Sequence, residues 1–252
     1  MLIDNLSYQS RLRYTNTGEK FLLAAAALIF CVAGRSVRLG LFVFFSMSLF
    51  TVAAGRIPLR FYLRLLKVPL LFLAANAAIL GTVIGNFPLE LFAFPVGKFY
   101  LTASRETALY GFRIFITALG AVSCLYFLSL NTPVTDLITF FRRLHCPALI
   151  AELMLLIYRF IFVLSDCAGS VSVSQQSRLG NINFRTSLHS FGALASCLFI
   201  RSIRRAEALF DAMESRCYDG EIRVLSEHRP ARLSETAAIA AYIAFLVFLV
   251  QS

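Results

Sequence analysis

Five apolar runs, at 21–34, 39–55, 68–86, about 106–130 and 233–250, dominate this chain of 252 residues. A helical crossing of a bilayer needs about 20 apolar residues. Inside lipid, a helix satisfies every backbone N–H and C=O within its own segment. The runs therefore predict an all-α, polytopic membrane protein with about five transmembrane helices. Composition agrees: 58% of residues are hydrophobic and 25 are Phe, whereas soluble chains sit near half apolar. The first run is short for a crossing, so its helix is expected to begin before Phe21. The polar stretch through Lys20 does not read as a cleaved signal peptide.

The formal net charge is +10. Nucleic acid is the first partner a basic chain suggests, but no binding motif accompanies the charge. Membrane topology explains it better, because Lys and Arg accumulate in cytoplasmic loops. With 131–232 inside, the N-terminus and 56–67 also lie inside, and nineteen of the 24 Lys and Arg residues fall on that side. Arg35, Arg38, Lys98 and Arg105 fall on the other. Arg113 lies within a run, near enough to the helix end to snorkel to the headgroups. The expectation is a multi-pass membrane protein with a cytoplasmic N-terminus.

Between the runs, 56–67 carries Arg56, Arg60, Arg64 and Lys67 at nearly helical spacing and predicts an interfacial helix. Residues 87–104 contain Pro88, Pro95 and Gly97 and predict a loop. Thr132-Pro133 opens a helix ending in Arg142-Arg143-Leu144-His145. Two longer segments follow, 147–178 and 184–218, each apolar first and polar afterwards. Hydropathy alone leaves open that 147–164 and 184–200 cross as a hairpin. The domains expected are an N-terminal bundle of about four spans (1–130), helices at the cytosolic face or interface (131–232) and a C-terminal span (233–252).

Catalytic motifs are missing. His145, His189 and His228 are far apart with no HExxH, and there is no Walker A sequence or GxSxG. Six cysteines, Cys31, Cys124, Cys146, Cys167, Cys197 and Cys217, form no CxxC pair and no zinc spacing. Glu152 reads most simply as paired with Arg159 two helical turns on, or with a neighbouring helix. The reading is a non-enzyme with no catalytic residue, no metal ligand set and no cofactor.

Two tripeptides stand out: Ser177-Arg178-Leu179 and Ser215-Arg216-Cys217. Each sits at the polar end of one of the long segments. A cation there complements the helix dipole, which would account for either one alone. Two matching ends, 38 residues apart on similarly built segments, suggest a pair of docking pegs. Arginine suits that task, since its fork holds a carboxylate in two hydrogen bonds and stays charged when desolvated.

The stretch TPVTDLITFFRRLHCPALIAELMLLIYRFIFVL, followed by SQQSRLG and RRAEALFDAMESRCYDG, resembles the transmembrane T component of energy-coupling factor (ECF) transporters. The N-terminal IDNLSYQSRLRYTNTGEKFLLA is similar to the cobalt branch, CbiQ. The resemblance implies a helical scaffold whose coupling helices end in Ala-Arg-Gly-like tripeptides seated in grooves of two ABC-type ATPase subunits. Arg178 and Arg216 then correspond to the coupling arginines, with Ser177 and Ser215 in the small first position. Leu179 and Cys217 depart from the family's Gly. The other partners implied are the lipid bilayer and a CbiM-like membrane S component, with a CbiN-like small subunit as its companion. The resemblance also makes 147–178 and 184–218 crossing coupling helices rather than a membrane hairpin. The function implied is energy coupling in an importer, for cobalt first, with nickel or a vitamin as alternatives. A membrane scaffold or assembly factor without transport coupling is the reading from another class.

Overall fold

The structure, a computed structural model, describes residues 6–8, 10–34, 36–81, 83–85, 92–96, 99–103, 105–220, 222 and 233–251. Its helices are α1 Thr17–Gly34, α2 Val37–Leu49, α3 Leu59–Gly81, α4 Arg105–Asn131, α5 Val134–Arg143, α6 Ala148–Ser177, α7 Phe184–Glu214 and α8 Leu233–Gln251. A wider turn, Phe50–Ala54, prolongs α2, and its Gly55 N–H donates to the Phe50 carbonyl five residues back at 3.1 Å. Four helices among the described residues are long and apolar enough to cross a membrane: Thr17–Gly34, Val37–Ala54, Arg105–Asn131 and Ala148–Ser177. Glu235–Val250 is a shorter apolar helix. This is an all-α, multi-pass membrane architecture.

The first helix begins before Phe21, as expected: it starts at Thr17, so its length reaches a crossing once the polar first turn is included. Two features differ from the sequence reading. The basic stretch 56–67 is not a separate interfacial helix, because α3 runs unbroken from Leu59 through it, with Pro69 inside. Its amphipathic half is as expected: Tyr62 and Leu66 are buried while Arg60, Arg64 and Lys67 are exposed. Lastly, the expected loop at 87–104 contains strands. β1 Val83–Gly85, β2 Phe92–Val96 and β3 Phe99–Ala103 form an antiparallel sheet in the order β1-β3-β2.

The chain divides into two compact units. The first comprises 1–137 and 227–252 and is organised on α4, which packs against α1, α2 and α3, while α8 packs on α1 and α2. One core cluster joins Ala27, Cys31, Leu39, Val43, Met47, Cys124, Phe127 and Leu246. A second joins Ile57, Tyr62, Leu66 and Leu130. Glycine permits close helix approaches at Gly40 and Gly120. A Cβ on Gly40 would lie 2.9 Å from Ile116 Cγ2, and one on Gly120 would lie 2.8 Å from Cys31 Sγ and 3.0 Å from the Gly40 carbonyl oxygen. Small residues at such crossings let membrane helices gain dispersion contact, since lipid supplies no hydrophobic drive between them.

Asn131 ends α4 as a buried polar hub. Its side chain donates to the Phe127 carbonyl (2.9 Å) and accepts from Ser10 Oγ (2.8 Å). Its carbonyl accepts from Lys20 Nζ at 3.2 Å, and the same ammonium donates to the Leu12 carbonyl at 3.0 Å. These bonds fasten the N-terminal segment to the end of α4, where unmade polar bonds would be costly. Arg113 is exposed in the third turn of α4.

Candidate functional site

The second unit, 138–226, carries both tripeptides. α6 has 30 residues and α7 has 31, so each is about 45 Å long at 1.5 Å per residue. They run antiparallel, tied at successive levels. Near their junction Gln175 Nε2 donates to the Ser190 carbonyl (2.8 Å), and Ser190 Oγ donates to the Gly180 carbonyl (2.8 Å). Further along, Arg201 Nη1 donates to Cys167 Sγ at 3.0 Å. At the far end Tyr218 Oη donates to Glu152 Oε2 at 2.8 Å. Arg178 therefore sits where α6 turns into α7, and Arg216 sits near the start of α6.

Each tripeptide ends its helix in one geometry. After α6, the Leu179 N–H donates to the Gln176 carbonyl (3.0 Å) and the Gly180 N–H to the Gln175 carbonyl (2.8 Å). After α7, the Cys217 N–H donates to the Glu214 carbonyl (2.9 Å) and the Tyr218 N–H to the Met213 carbonyl (3.1 Å). This is the Schellman closure, which satisfies the last helical carbonyls and requires one left-handed residue. Leu179 and Cys217 are those residues, both at φ 59°. Each arginine is the last residue before the left-handed one. Both serines turn back on their own helix, Ser177 Oγ donating to the Val173 carbonyl (3.0 Å) and Ser215 Oγ to the Ala212 carbonyl (3.0 Å). All six residues, Ser177, Arg178, Leu179, Ser215, Arg216 and Cys217, are exposed. Both serine hydroxyls are thus bonded to their own helix, and both arginines are exposed.

Arg178 also borders a cavity of about 300 Å³ lined by Ser170, Ser174, Gln175 and Arg201. Among the described residues no cluster of His, Cys, Asp and Glu could hold a metal. His145 and His189 are exposed. His228 lies outside the described residues.

Glu152 does not pair with Arg159, as its sequence spacing suggested. It is buried, and besides the Tyr218 hydroxyl it accepts the Ile222 N–H on Oε1 at 2.6 Å. Arg142 Nη1 donates to the Ile222 carbonyl at 3.4 Å. The bond to Glu152, then burial, raises the Tyr218 pKa above its ordinary value. No spacing rule reveals this set: Glu152 and Tyr218 are 66 residues apart. The only sequence signal was a carboxylate inside an apolar run.

The apolar halves of both long helices remain uncovered. Leu153, Ile157 and Ile161 on α6 and Leu188, Phe191, Phe199 and Ile203 on α7 are exposed. Leu156, Phe160, Leu194 and Leu198 are half-buried.

Residues 9–226 match the model of the CbiQ family, described as cobalt transport protein. This chain belongs to the CbiQ family. Its relatives include an uncharacterized protein of Methanocaldococcus jannaschii, 33% identical over 98% of this chain and 92% of its own. The cobalt transport protein CbiQ of Rhodobacter capsulatus is 33% identical over 91% of this chain and 88% of its own. A putative fused cobalt transport protein CbiMQ of Methanocorpusculum labreanum is 30% identical over 97% of this chain and 41% of its own length. The CbiQ match covers α1 through α7, both tripeptides included.

Proposed function

We propose that this chain is the energy-coupling transmembrane T component of an ECF-type importer for Co²⁺. The observation that carries the reading is the pair of helix ends closed by the same hydrogen bonds, each presenting an exposed arginine from one helical hairpin. In this reading Arg178 and Arg216 each enter an acidic groove of one of two ABC-type ATPase subunits. ATP binding draws those subunits together, and the rods α6 and α7 carry the displacement to the uncovered apolar faces. A membrane S component rests on those faces and binds the substrate. The fused CbiMQ relative supports a CbiM-type protein in that role. Coupling of this kind needs an element whose two arrangements are biased from both sites, and the helical hairpin is the candidate.

The chain contributes no chemistry of its own in this scheme. ATP hydrolysis belongs to the partner ATPases, and metal recognition belongs to the S component. The N-terminus lies in the cytoplasm, on the side of both tripeptides, as the charge distribution supports. The test is reconstitution: the full chain with an ATPase pair and an S component in liposomes, scored for ATP-dependent uptake of Co²⁺ against Ni²⁺. Uptake that persists without this chain, or without any ATPase bound to it, would overturn the proposal.

A further inference from the structure

We propose that Glu152 is a positioning residue for the second docking arginine: it holds Tyr218, two residues beyond Arg216, and so fixes the direction in which that guanidinium points. The inference rests on the docking reading above and names what gives that reading its precision.

The geometry is specific to one end of the hairpin. The first peg, Arg178, is braced by covalent continuity, because α6 turns directly into α7 and Ser190 and Gln175 clamp the turn. After the second peg, the described residues 217–220 and 222 are not helical. The backbone closure at that peg depends on Tyr218, whose N–H donates to the Met213 carbonyl. The hydroxyl of the same tyrosine donates to Glu152 Oε2. The other carboxylate oxygen takes the Ile222 N–H, and Arg142 holds the Ile222 carbonyl. One buried carboxylate on the first turns of α6 therefore anchors the chain on leaving α7. Bonds to a carboxylate are the stronger class of hydrogen bond. The two oxygens reach two points of the same segment, which resists rotation as well as translation.

A consequence follows for coupling. The helix that ends in Arg178 also carries, at its opposite end, the residue that sets Arg216. A peg held in one orientation loses less freedom on docking, and preorganisation of that kind appears as affinity. The role is separable from stability in general, because it acts through one arginine and not the other.

The experiment uses the full chain in nanodiscs and the ATPase pair with which it copurifies, measuring their dissociation constant. Variants are Tyr218→Phe, Glu152→Ala, Arg178→Ala, Arg216→Ala, and Glu152→Ala combined with each arginine change. Tyr218→Phe retains the ring and the backbone N–H, so it keeps the test alive should Glu152→Ala fold poorly. Tyr218→Phe and Glu152→Ala should each weaken binding roughly fivefold, the size of one ordinary hydrogen bond. Glu152→Ala should add nothing in the Arg216→Ala background and its full factor in the Arg178→Ala background. Equal factors in both backgrounds mean a general structural role and overturn the proposal. Wild-type binding by Tyr218→Phe and Glu152→Ala, with Arg216→Ala weakened, also overturns it but leaves docking intact. Wild-type binding by Arg216→Ala itself sinks the docking reading and this inference with it.

Discussion

Leu179 and Cys217 occupy the same left-handed backbone conformation, φ 59° at each, on helix ends 38 residues apart. A left-handed conformation costs a residue with a Cβ roughly 1–2 kcal/mol relative to the right-handed one. Glycine escapes that cost, and the resembling tripeptides carry it. Here the closure forms without it, so the hydrogen bonds of the helix ends, not the third residue, dictate the path.

Replacing either with glycine should stabilise the chain. Leu179→Gly and Cys217→Gly remove the left-handed cost, partly offset by the greater freedom of glycine when unfolded. A net gain of about 0.5–1 kcal/mol corresponds to a rise in Tm of about 1–3 °C for a chain of this size. Thermal unfolding in detergent measures it. Leu179→Val should move the other way, because a β-branched residue tolerates positive φ worst. A fall in Tm for both glycine variants would mean that their side chains pack in a way the exposed positions do not suggest.

Loss of either arginine should weaken ATPase retention by roughly one to two decades, as expected for a charged hydrogen-bonded contact of about 1.5–3 kcal/mol. The double variant should uncouple ATP hydrolysis from uptake or dissolve the complex. Lysine should rescue poorly, since it lacks the planar fork. Arg60→Ala, removing an exposed charge on α3, is the control and should change little. Copurification and uptake at matched expression measure every variant. A double variant that assembles and transports like the wild type would return both arginines to the rank of ordinary helix-end charges.

Much of this was legible because apolar runs and helix punctuation act locally. Thr132-Pro133 opens α5 as expected: the Pro133 carbonyl accepts the Leu137 N–H at 3.2 Å. The tripeptides could be found because a polar arginine ends a long amphipathic segment. What was hidden depends on partners distant in sequence. The change from basic to apolar at Lys67 suggested a break, yet a membrane helix tolerates a proline such as Pro69 where neighbouring helices, polar side chains or water satisfy the freed carbonyl. Pro95 argued for a loop, but β2 lies at the sheet's edge, opposite only β3, where a missing N–H is tolerated. The Glu152–Tyr218 bond joins two ends of a hairpin, and no window of sequence contains both.

Gly40 and Gly120 should be intolerant positions. Gly120→Leu would drive a side chain into Cys31 and the Gly40 backbone, and Gly40→Leu would meet Ile116. Overpacking of this sort costs about 1–3 kcal/mol and more where the clash is with backbone. Gly169 on α6 and Gly192 on α7 offer the contrast, for a Cβ there meets nothing within 4 Å. Gly169→Ala and Gly192→Ala should stabilise the isolated chain by up to about 1 kcal/mol, the helix-propensity difference. Thermal unfolding of the four variants measures the contrast. Equal effects at all four positions would contradict the close α2–α4 crossing.

The orientation proposed above can be tested with the chain's own chemistry. Cys217 is an exposed thiol beside Arg216, so a version retaining only that cysteine carries a natural reporter on the second peg. A second version, with its sole cysteine at Arg178→Cys, reports on the first. A membrane-impermeant maleimide should spare both in intact cells and label both in inverted vesicles. A third, Ala93→Cys, lies in β2 between α3 and α4 and should show the reverse pattern, as the positive-inside distribution requires. The comparison of 178 with 217 is the decisive one. α6 is long and apolar enough to cross alone, and α7 is not among the four helices that meet that measure. If α6 crossed the bilayer, its far end at Arg178 would face away from 134–143, while the chain beyond α7, which Tyr218 ties to Glu152 at the start of α6, would stay on the side of 134–143. Labelling of position 178 but not 217 in intact cells would therefore place the first arginine outside, out of reach of any cytoplasmic ATPase. Protection of both, with Ala93→Cys labelled, is the outcome that a coupling hairpin at the cytoplasmic face demands.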